Sequence, residues 1–394
     1  MPAFTGSLHA NLIFASIYNM IISQQVFADN IQKNQTLVDK ARVDGGLYGD
    51  TKLFYSTDVL KTRAWGGDSE AANLLAVNRP KAPECQEITM SVYRQIDVTV
   101  DAFLTKQAWM DEGSFSNFNG VILSWLQDTR RVYDGTLYNA FIGTTVSATG
   151  KQSRTVDVTT AVGSATGEEA NRLEAQAIAA DLADLIVEMG DYSRDFNDYQ
   201  QMRSYDESSL MVIWNASYVN KLRYVDLPTI FHKEGLDAAL KLSQEYLPSR
   251  YFGTVLTASN ISTYSASTPA AGKPINSSTG AYTPGSNNAN GTVRTLYEVE
   301  VTISSTTYNL FPGDEIPSGA TVKAGGDFEL GTVYIERSDV LYKVVTVLPP
   351  YMSAFEVGTS FFNARALNEN HYLTFGHNPL EYLKGKPFIT AFKA

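Results

Sequence analysis

Residues 114–142 have the sequence SFSNFNGVILSWLQDTRRVYDGTLYNAFI. Apolar or small side chains recur at steps of three and four positions, at Phe118, Ile122, Trp125, Thr129, Val132, Thr136 and Ala140. This spacing is typical of an amphipathic helix. Ser114 is a suitable N-cap and Gly143 a suitable stop. A helix of about 28 residues at 1.5 Å per residue is about 42 Å long, which exceeds what most globular domains need. We therefore predict one long helix around which the rest of the chain is arranged.

The sequence before this helix predicts two strands joined by a long excursion. Residues 51–57 fit one strand, and residues 88–100 alternate apolar and polar side chains, as in a strand with one buried face. Residues 58–84 contain paired glycines and two prolines and show little periodicity. Compact domains usually join strands with about two to five residues, so a connection of about 30 is more often functional than incidental.

Residues 1–42 have the character of an arm. Leu12, Ile13, Ile17, Met20 and Ile21 follow helical spacing and predict a short amphipathic helix. Two interpretations stay open: an ordinary N-terminal helix packed on its own chain, or an arm that docks on a neighbouring chain.

The sequence after the long helix predicts an α+β domain. A second helix is expected over 167–189, with a capping box at Thr166 and Glu169 and a stop at Gly190. Leu210–Trp214 has the length and composition of a buried strand, and Asn215 is a natural N-cap for a short helix over 216–223. A further short helix is expected over 233–246. Helices and strands in this order are typical of α+β folds.

Residues 254–292 differ in composition from the rest of the chain. Ser, Thr, Gly, Asn, Ala and Pro dominate, and Lys273 is the only charge, so we expect a loop or insertion with little core of its own. Residues 296–303, 332–336 and 341–348 then predict strands separated by turns. The C-terminal segment is rich in Tyr and Phe and is expected to pack against the rest of the fold.

Composition and charge favour packing and contact over catalysis. The chain has 31 Lys+Arg against 42 Asp+Glu, for a net charge of -11, and tight wrapping of nucleic acid would need a basic face. Cys85 is the only cysteine and excludes an internal disulfide. The apolar run from Asn11 to Ile22 is too short and too polar to span a bilayer. The first basic residue is Lys33, so the positive region that a signal peptide requires is missing, and we expect no secretion.

The motifs of common enzymes and metal sites are absent from the sequence. There is no phosphate-binding loop, dinucleotide fingerprint, nucleophile elbow or zinc-protease signature. His371 and His377 lack a third ligand at useful spacing, and Cys85 has no basic neighbour to lower its pKa, so we expect satisfied histidines and an inert thiol. Arg130 and Arg131 are expected on a solvated face of the long helix. We therefore assign no catalytic, cofactor-binding or metal-binding residue and no cofactor.

The order of these segments resembles the major capsid protein of tailed bacteriophages, the coat fold first seen in phage Hong Kong ninety-seven. The pieces that carry the resemblance are the arm Met1–Arg42, the run Gly49–Phe54 that opens the excursion, the returning strand Glu87–Val100, the helix Ser114–Ile142, the strand Leu210–Trp214 and the Asn-capped helix after it. The resemblance covers about residues 1–250 and the C-terminal segment, and it departs at 254–335. It is one of pattern and not of a diagnostic motif.

The resemblance implies an α+β coat fold with a defined division of the chain. Its parts are an N-terminal arm (1–42), an extended loop (43–100), a peripheral domain with a spine helix (101–143), an axial domain (144–253), a Ser/Thr/Gly-rich and β-rich insertion (254–335) and a C-terminal return to the peripheral domain (336–394). Some members join an extended-loop Lys to an Asn of a neighbour. Lys52, Lys61 and Lys81 are present here, but no motif selects one, so that chemistry is not carried over.

The partners implied are further copies of the chain, as hexamers and pentamers of an icosahedral shell, with portal and possible scaffolding or decoration proteins. Double-stranded DNA would be enclosed without sequence-specific binding, and no membrane would be involved. The location implied is the virion capsid, assembled in the host cytoplasm. The arm and the excursion are expected to leave apolar faces that neighbouring subunits cover.

Three other functions stay open from sequence alone. The first is a bacterial nanocompartment shell of the same fold that encloses cargo protein. The second is a secreted, β-rich carbohydrate-binding or adhesion protein. The third is an intracellular enzyme whose site has no recognised motif.

Overall fold

The computed structural model describes residues 36–44, 49–62, 77, 79–101, 112–219, 242–284, 291–366 and 368–394. Its helices are α1 (Thr36–Ala41), α2 (Glu112–Thr144), α3 (Val158–Val162), α4 (Glu168–Gly190) and α5 (Ile261–Tyr264). Its strands are β1 (Arg42–Asp44), β2 (Thr51–Ser56), β3 (Glu84–Thr89), β4 (Val92–Asp101), β5 (Ser153–Val156), β6 (Met211–Asn215), β7 (Ser243–Leu247), β8 (Gly253–Val255), β9 (Ser265–Ala266), β10 (Ile275–Asn276), β11 (Val293–Thr295), β12 (Val299–Ile303), β13 (Thr306–Leu310), β14 (Val333–Glu336), β15 (Val340–Val345), β16 (Tyr351–Asn363), β17 (Asn368–His377) and β18 (Phe388–Lys393). The short helix predicted around residues 12–21 lies outside the described residues.

The long predicted helix is present as α2 and runs for 33 residues. Both predicted ends are wrong, because Ser114 and Gly143 lie inside the helix. Gly143 is where α2 touches the segment before β8: a Cβ at this position would lie 2.0 Å from the carbonyl oxygen of Tyr251. The glycine therefore permits close packing of the helix and does not end it.

A five-stranded sheet, in the order β5-β18-β15-β6-β7, forms the centre of the larger core. One face packs against the buried side of α4, including Ile178, Leu182 and Leu185. The opposite face packs against the C-terminal part of α2 through Tyr138 and Ile142. The predicted buried strand is confirmed as β6, shifted by one residue. Its position between β15 and β7 explains its uninterrupted apolar run.

Two sequence predictions around this sheet are wrong. Residues 243–246, expected in a helix, form β7, which pairs in parallel with β6. The expected capping box of α4 is absent, because its N-cap is Gly167 at φ 67° with no side-chain cap bond. The helix predicted after Asn215 is present over residues 216–219, and the remainder of that prediction lies outside the described residues. The Asn215 side chain accepts from the Ser217 backbone N–H at 3.2 Å, as an N-cap does.

A second sheet, in the order β1-β16-β17-β4, packs against an earlier part of α2. The contact joins Tyr133 and Leu137 of the helix to Phe375 of β17. The spine-like helix therefore bridges the two sheets. Residues 336–394 contribute to both sheets, since β15 and β18 lie in the first and β16 and β17 in the second, whereas the resemblance assigned the whole segment to one domain.

The segment 254–335 has a hydrophobic core of its own, which contradicts the expectation for residues 254–292. Strands β11, β14 and β8 form a three-stranded sheet, and β12 and β13 form a hairpin beside it. Leu256, Ile275 and Tyr282, all from the Ser/Thr/Gly-rich part, are buried in one cluster with apolar residues from 293–335. A few apolar residues are enough to form this core because the turns between the short strands bring them together in one cluster.

Candidate assembly surface

The extended segment before α2 exposes several large apolar side chains to solvent. Strands β2 and β3 pair as an antiparallel two-stranded sheet from Thr51↔Thr89 to Ser56↔Glu84. The side chains Leu53, Tyr55, Val59, Leu60 and Val77 are between 49% and 77% exposed. Leu53 and Tyr55 are two positions apart on β2, so they lie on the same face of the hairpin. Exposed apolar side chains that share a surface mark contact sites more often than chance. We call this side of β2 the outer face of the excursion.

The opposite face of the same hairpin is held by its own chain. Ile88 and Met90 are buried against Met352, the second residue of β16. The Gln86 side chain donates to the Tyr382 carbonyl at 3.0 Å and accepts from the Lys384 backbone N–H at 2.9 Å. The excursion was expected to leave its apolar side uncovered within one subunit, and for this inner face the expectation is wrong.

Polar contacts fix the chain just beyond β2. The Asp58 carboxylate accepts from Arg194 at 2.6 Å and from the Met202 backbone N–H at 3.0 Å. The Arg194 hydrogen bond is the main cause that lowers the pKa of Asp58 to about 2. Arg203 donates to the Thr57 carbonyl, and Ser56 contacts Gln201. The chain at residues 56–58 is therefore anchored to its own subunit.

The described part of the arm also packs on its own chain. Leu37, Val38 and Ala41 of α1 are buried in the cluster that contains Tyr138 of α2 and Tyr351 of β16. Residues 1–35 lie outside the described part of the chain.

A buried polar group joins the arm, α2 and β16 at Asp134. Its carboxylate accepts from the Tyr351 hydroxyl at 2.5 Å and from Arg42 at 3.3 Å, and Arg130 lies 3.7 Å away. Burial raises the pKa of Asp134, and the tyrosine and the two arginines oppose that shift. Arg130 is buried, with its guanidinium 4.9 Å from the Phe375 ring, so its predicted solvated position is wrong. Arg131 is exposed, as predicted.

A buried lysine lies beneath the C-terminal end of α2. Lys343 of β15 is fully buried, and its Nζ donates to the carbonyl oxygen of Thr145, the residue that follows the helix. A cation is favourable at this end of a helix because the helix dipole is negative there. The Phe388 ring lies 4.9 Å from Nζ, and burial lowers the pKa of Lys343 to about 7. The sequence predicted a strand over 341–348 and did not single out the lysine within it, whereas all six residues of β15 are buried.

The residues considered for chemistry do not converge on one site. His371 and His377 are six positions apart on β17, about 20 Å along a strand. His377 is buried and bonded through both ring nitrogens, to Tyr133 and to the Asn378 carbonyl, so the prediction of a satisfied histidine is confirmed there. Cys85 is exposed on β3. Lys81 pairs with Glu84 at 2.8 Å.

Within the part of the chain that the structure describes, no three His, Cys, Asp or Glu side chains are grouped as a metal site requires. Over the same residues, no helix has both the length and the apolar character needed to cross a bilayer.

Comparison with known proteins identifies the fold. The chain is similar to one in the structure of the head fiber and inner core protein gp22 of native bacteriophage P68, with 11% identity, 89% of this chain and 83% of that chain covered, and a TM-score of 0.53. It is also similar to a chain in the capsid structure of Staphylococcus phage Andhra, with 12% identity, 92% and 88% coverage and a TM-score of 0.51. No family model matches the sequence, and no curated protein does. The predicted α+β coat fold of tailed phages is confirmed.

Proposed function

We propose that this chain, which has the coat fold of tailed phages, is a major capsid protein that assembles into an icosahedral head. The observation that carries the proposal is the outer face of the excursion, which remains exposed on a segment whose other face is anchored. An anchored segment whose outer face is uncovered can make the same contact with every neighbouring copy of the chain. In hexamers and pentamers, identical neighbours cover this face.

The energetics favour this interpretation of the outer face. Covering a large apolar side chain fully contributes about 1.5–3 kcal/mol. Each subunit carries more than one such side chain, and the contact is repeated at every subunit of a closed shell. The binding free energy of one pair of subunits can therefore be small while the total for the assembly is large. The inner-face anchors hold the excursion in place, so less conformational entropy is lost when neighbours meet.

The domain division follows the two sheets. The peripheral domain contains α2 with the sheet β1-β16-β17-β4, and the axial domain contains α4 with the sheet around β15. The arm covers 1–42 and the extended loop 43–100, except that the strands β1 and β4 at the two ends of the loop belong to the peripheral sheet. The insertion 254–335 forms a separate module because it has its own core.

The same proposal covers partners and location. The shell encloses double-stranded DNA without reading its sequence, and the net charge of -11 keeps the protein from binding the genome tightly. A portal, with scaffolding or decoration proteins, completes the head in the host cytoplasm, and the mature location is the virion. The role is structural and not catalytic.

The test is assembly of the purified full-length chain. We expect closed particles of uniform diameter by negative-stain microscopy and a fast-sedimenting peak by analytical ultracentrifugation. Nucleic acid in particles recovered from infected cells, against enclosed protein cargo, separates a virus head from a nanocompartment. A chain that stays monomeric across solution conditions, with or without co-expressed head proteins, contradicts the proposal.

A further inference from the structure

The strand β16 has an open edge over residues 357–363. On one side β16 pairs with β17 at Ser353↔His377 and, after a register shift, continuously from Glu356↔Phe375 to Asn363↔Asn368. On the other side its partner is β1, and that pairing is limited to Tyr351–Ser353. Among the described residues, no other strand pairs with β16. Over 357–363, the backbone N–H and C=O groups of alternate residues therefore face outward without a strand partner from the described part of the chain.

This edge lacks the features that usually block strand pairing. Its sequence is Val357-Gly-Thr-Ser-Phe-Phe-Asn363, with no charged residue and no proline. Val357, Phe361 and Phe362 are 44%, 65% and 51% exposed. Edge strands in proteins that stay separate usually carry lysine, proline or a bulge at such a position. A neutral, uninterrupted edge with exposed aromatic side chains is suited to receiving a further strand.

We propose that two copies of the chain pair through this edge, antiparallel and centred on Ser360, so that their sheets become continuous. The inference rests on the proposed function, since it names one of the contacts between subunits of the shell. The same segment is contributed by both copies, as a two-fold contact requires.

The sequence of the edge is complementary to itself in this register. Pairing about Ser360 uses all of residues 357–363 and places Phe362 of each copy opposite Gly358 of the other, where an aromatic ring covers the bare backbone. It also places Phe361 opposite Thr359, an aromatic and β-branched pair that stabilises sheets. Centring on Thr359 instead would bring Phe362 opposite Glu356, and centring on Phe361 would shorten the paired segment.

Charge also favours a second copy as the occupant. Each chain carries a net charge of -11, so two copies repel each other unless the surfaces that meet are uncharged. Seven neutral residues on the edge meet that condition. A seven-residue pairing buries less area than the roughly 800 Å² per partner of a stable dimer, so we expect it to form in the assembled particle and to be weak between dispersed chains.

The test is a disulfide at the two-fold axis. In a Cys85→Ser background, Ser360→Cys places two thiols on directly opposed residues, whose Cα atoms lie about 4.5–5.5 Å apart in an antiparallel pair, within disulfide range. The matched control is Thr302→Cys in the same background, at an exposed position on β12. After mild oxidation of particles, we expect covalent dimers for Ser360→Cys at least tenfold more abundant than for the control. Peptide mass spectrometry should find the 360–360 link.

The outcomes separate this contact from the proposed function. Particles that form without the 360–360 link overturn the edge pairing and leave the capsid proposal standing. Linked dimers from a chain that never forms particles support the edge pairing and contradict the capsid role, and the absence of both contradicts both. In the variant that keeps native Cys85, a 360–85 link would assign the edge to a neighbour's β3 and overturn the two-fold pairing.

A second variant tests the edge by adding a charge to it. Phe362→Lys in the Ser360→Cys, Cys85→Ser background should reduce the 360–360 link at least tenfold, because a charge at the edge opposes pairing. Tyr308→Lys, an exposed change on β13, should leave it unchanged. Equal linkage in both variants would contradict the proposal.

Discussion

The His377 Nε2 atom lies 2.9 Å from the Tyr133 hydroxyl oxygen, where the end of β17 meets α2. The other ring nitrogen, Nδ1, lies 2.8 Å from the Asn378 carbonyl oxygen. Because a carbonyl can only accept, Nδ1 carries the proton, and Nε2 accepts from the tyrosine. The site thus holds a neutral imidazole, and burial lowers the pKa of His377 to about 4.

This arrangement makes the fold sensitive to mild acid. The unfolded chain binds a proton at His377 below about pH 6.5, whereas the folded chain resists it down to about pH 4. The free energy of unfolding should therefore fall as the pH drops through this window, by about 3 kcal/mol in full. Urea denaturation at several pH values should show a smaller loss of stability in His377→Gln than in the wild type. Identical pH profiles for wild type and His377→Gln would contradict the assignment.

The buried Lys343 side chain predicts how the free energy of unfolding changes above pH 7. Its pKa is lowered to about 7 by burial, so between about pH 7 and 10.5 the unfolded chain binds a proton that the folded chain lacks. This group should therefore make the free energy of unfolding rise with pH in that window. Lys343→Met should remove the rise and stabilise the protein at pH 7 by roughly 1–3 kcal/mol, since a lone buried cation is replaced by an apolar chain of similar size.

The control for Lys343→Met is Lys151→Met, at an exposed lysine that pairs with Asp195 at 2.8 Å. It should leave the free energy of unfolding close to the wild-type value, because exposed ion pairs contribute little to stability. Denaturation at pH 7 to 9 is the measurement. A Lys343→Met variant that keeps the wild-type slope would show that Lys343 stays protonated in the fold.

Gly143 tests the close contact between α2 and the segment before β8. A Cβ at this position would lie 2.0 Å from the Tyr251 carbonyl oxygen, so Gly143→Ala forces the two backbones apart. We expect a loss of stability of about 2–4 kcal/mol, at the upper end for overpacking. In Gly190→Ala, where nothing lies within 4 Å of the added Cβ, the change should be neutral or stabilising by up to about 1 kcal/mol. Thermal unfolding of both variants compares them.

The parts of the fold that repeat a simple period could be predicted from sequence. The stripe from Phe118 to Ala140 predicts α2, and the apolar run at 210–214 predicts β6. The C-terminal end of α2 could not be predicted. A glycine is needed at 143 because the backbone of Tyr251 lies against it, and that residue is more than a hundred positions away in the sequence. The core of 254–335 was missed because its apolar residues are spaced by turns and follow no period. Arg130 and Lys343 were missed for a related reason, since their burial depends on Phe375 and Thr145.

Asp58 and Arg194 predict how firmly the base of the excursion is held. Asp58→Asn removes the carboxylate that accepts from Arg194 and from the Met202 backbone. We expect amide hydrogen exchange over 50–60 to become at least several-fold faster. The amide oxygen of Asn can still accept from Met202, but the amide group has no second acceptor for Arg194, so the charged anchoring bond is lost. Asp206→Asn, at another exposed carboxylate with a lowered pKa that caps its own turn, should leave exchange over 50–60 unchanged. Unchanged exchange in Asp58→Asn would mean that the inner face and the contacts of Arg203 and Gln201 hold the hairpin without Asp58.

Substitutions on the outer face of the excursion should impair assembly and leave the stability of the folded subunit almost unchanged. Leu53 and Tyr55 are exposed in the subunit, so the double change Leu53→Ser, Tyr55→Ser should shift the free energy of unfolding by less than about 1 kcal/mol. If neighbours cover these side chains, each contact loses at least about 1.4 kcal/mol, and the protein concentration needed for assembly rises at least tenfold. The matched control is Tyr297→Ser, Tyr308→Ser, two exposed aromatic residues on the insertion, which should assemble at the wild-type concentration. Light scattering during assembly measures both thresholds. Equal thresholds for the two double variants would show that neighbours do not cover the outer face, even if particles form.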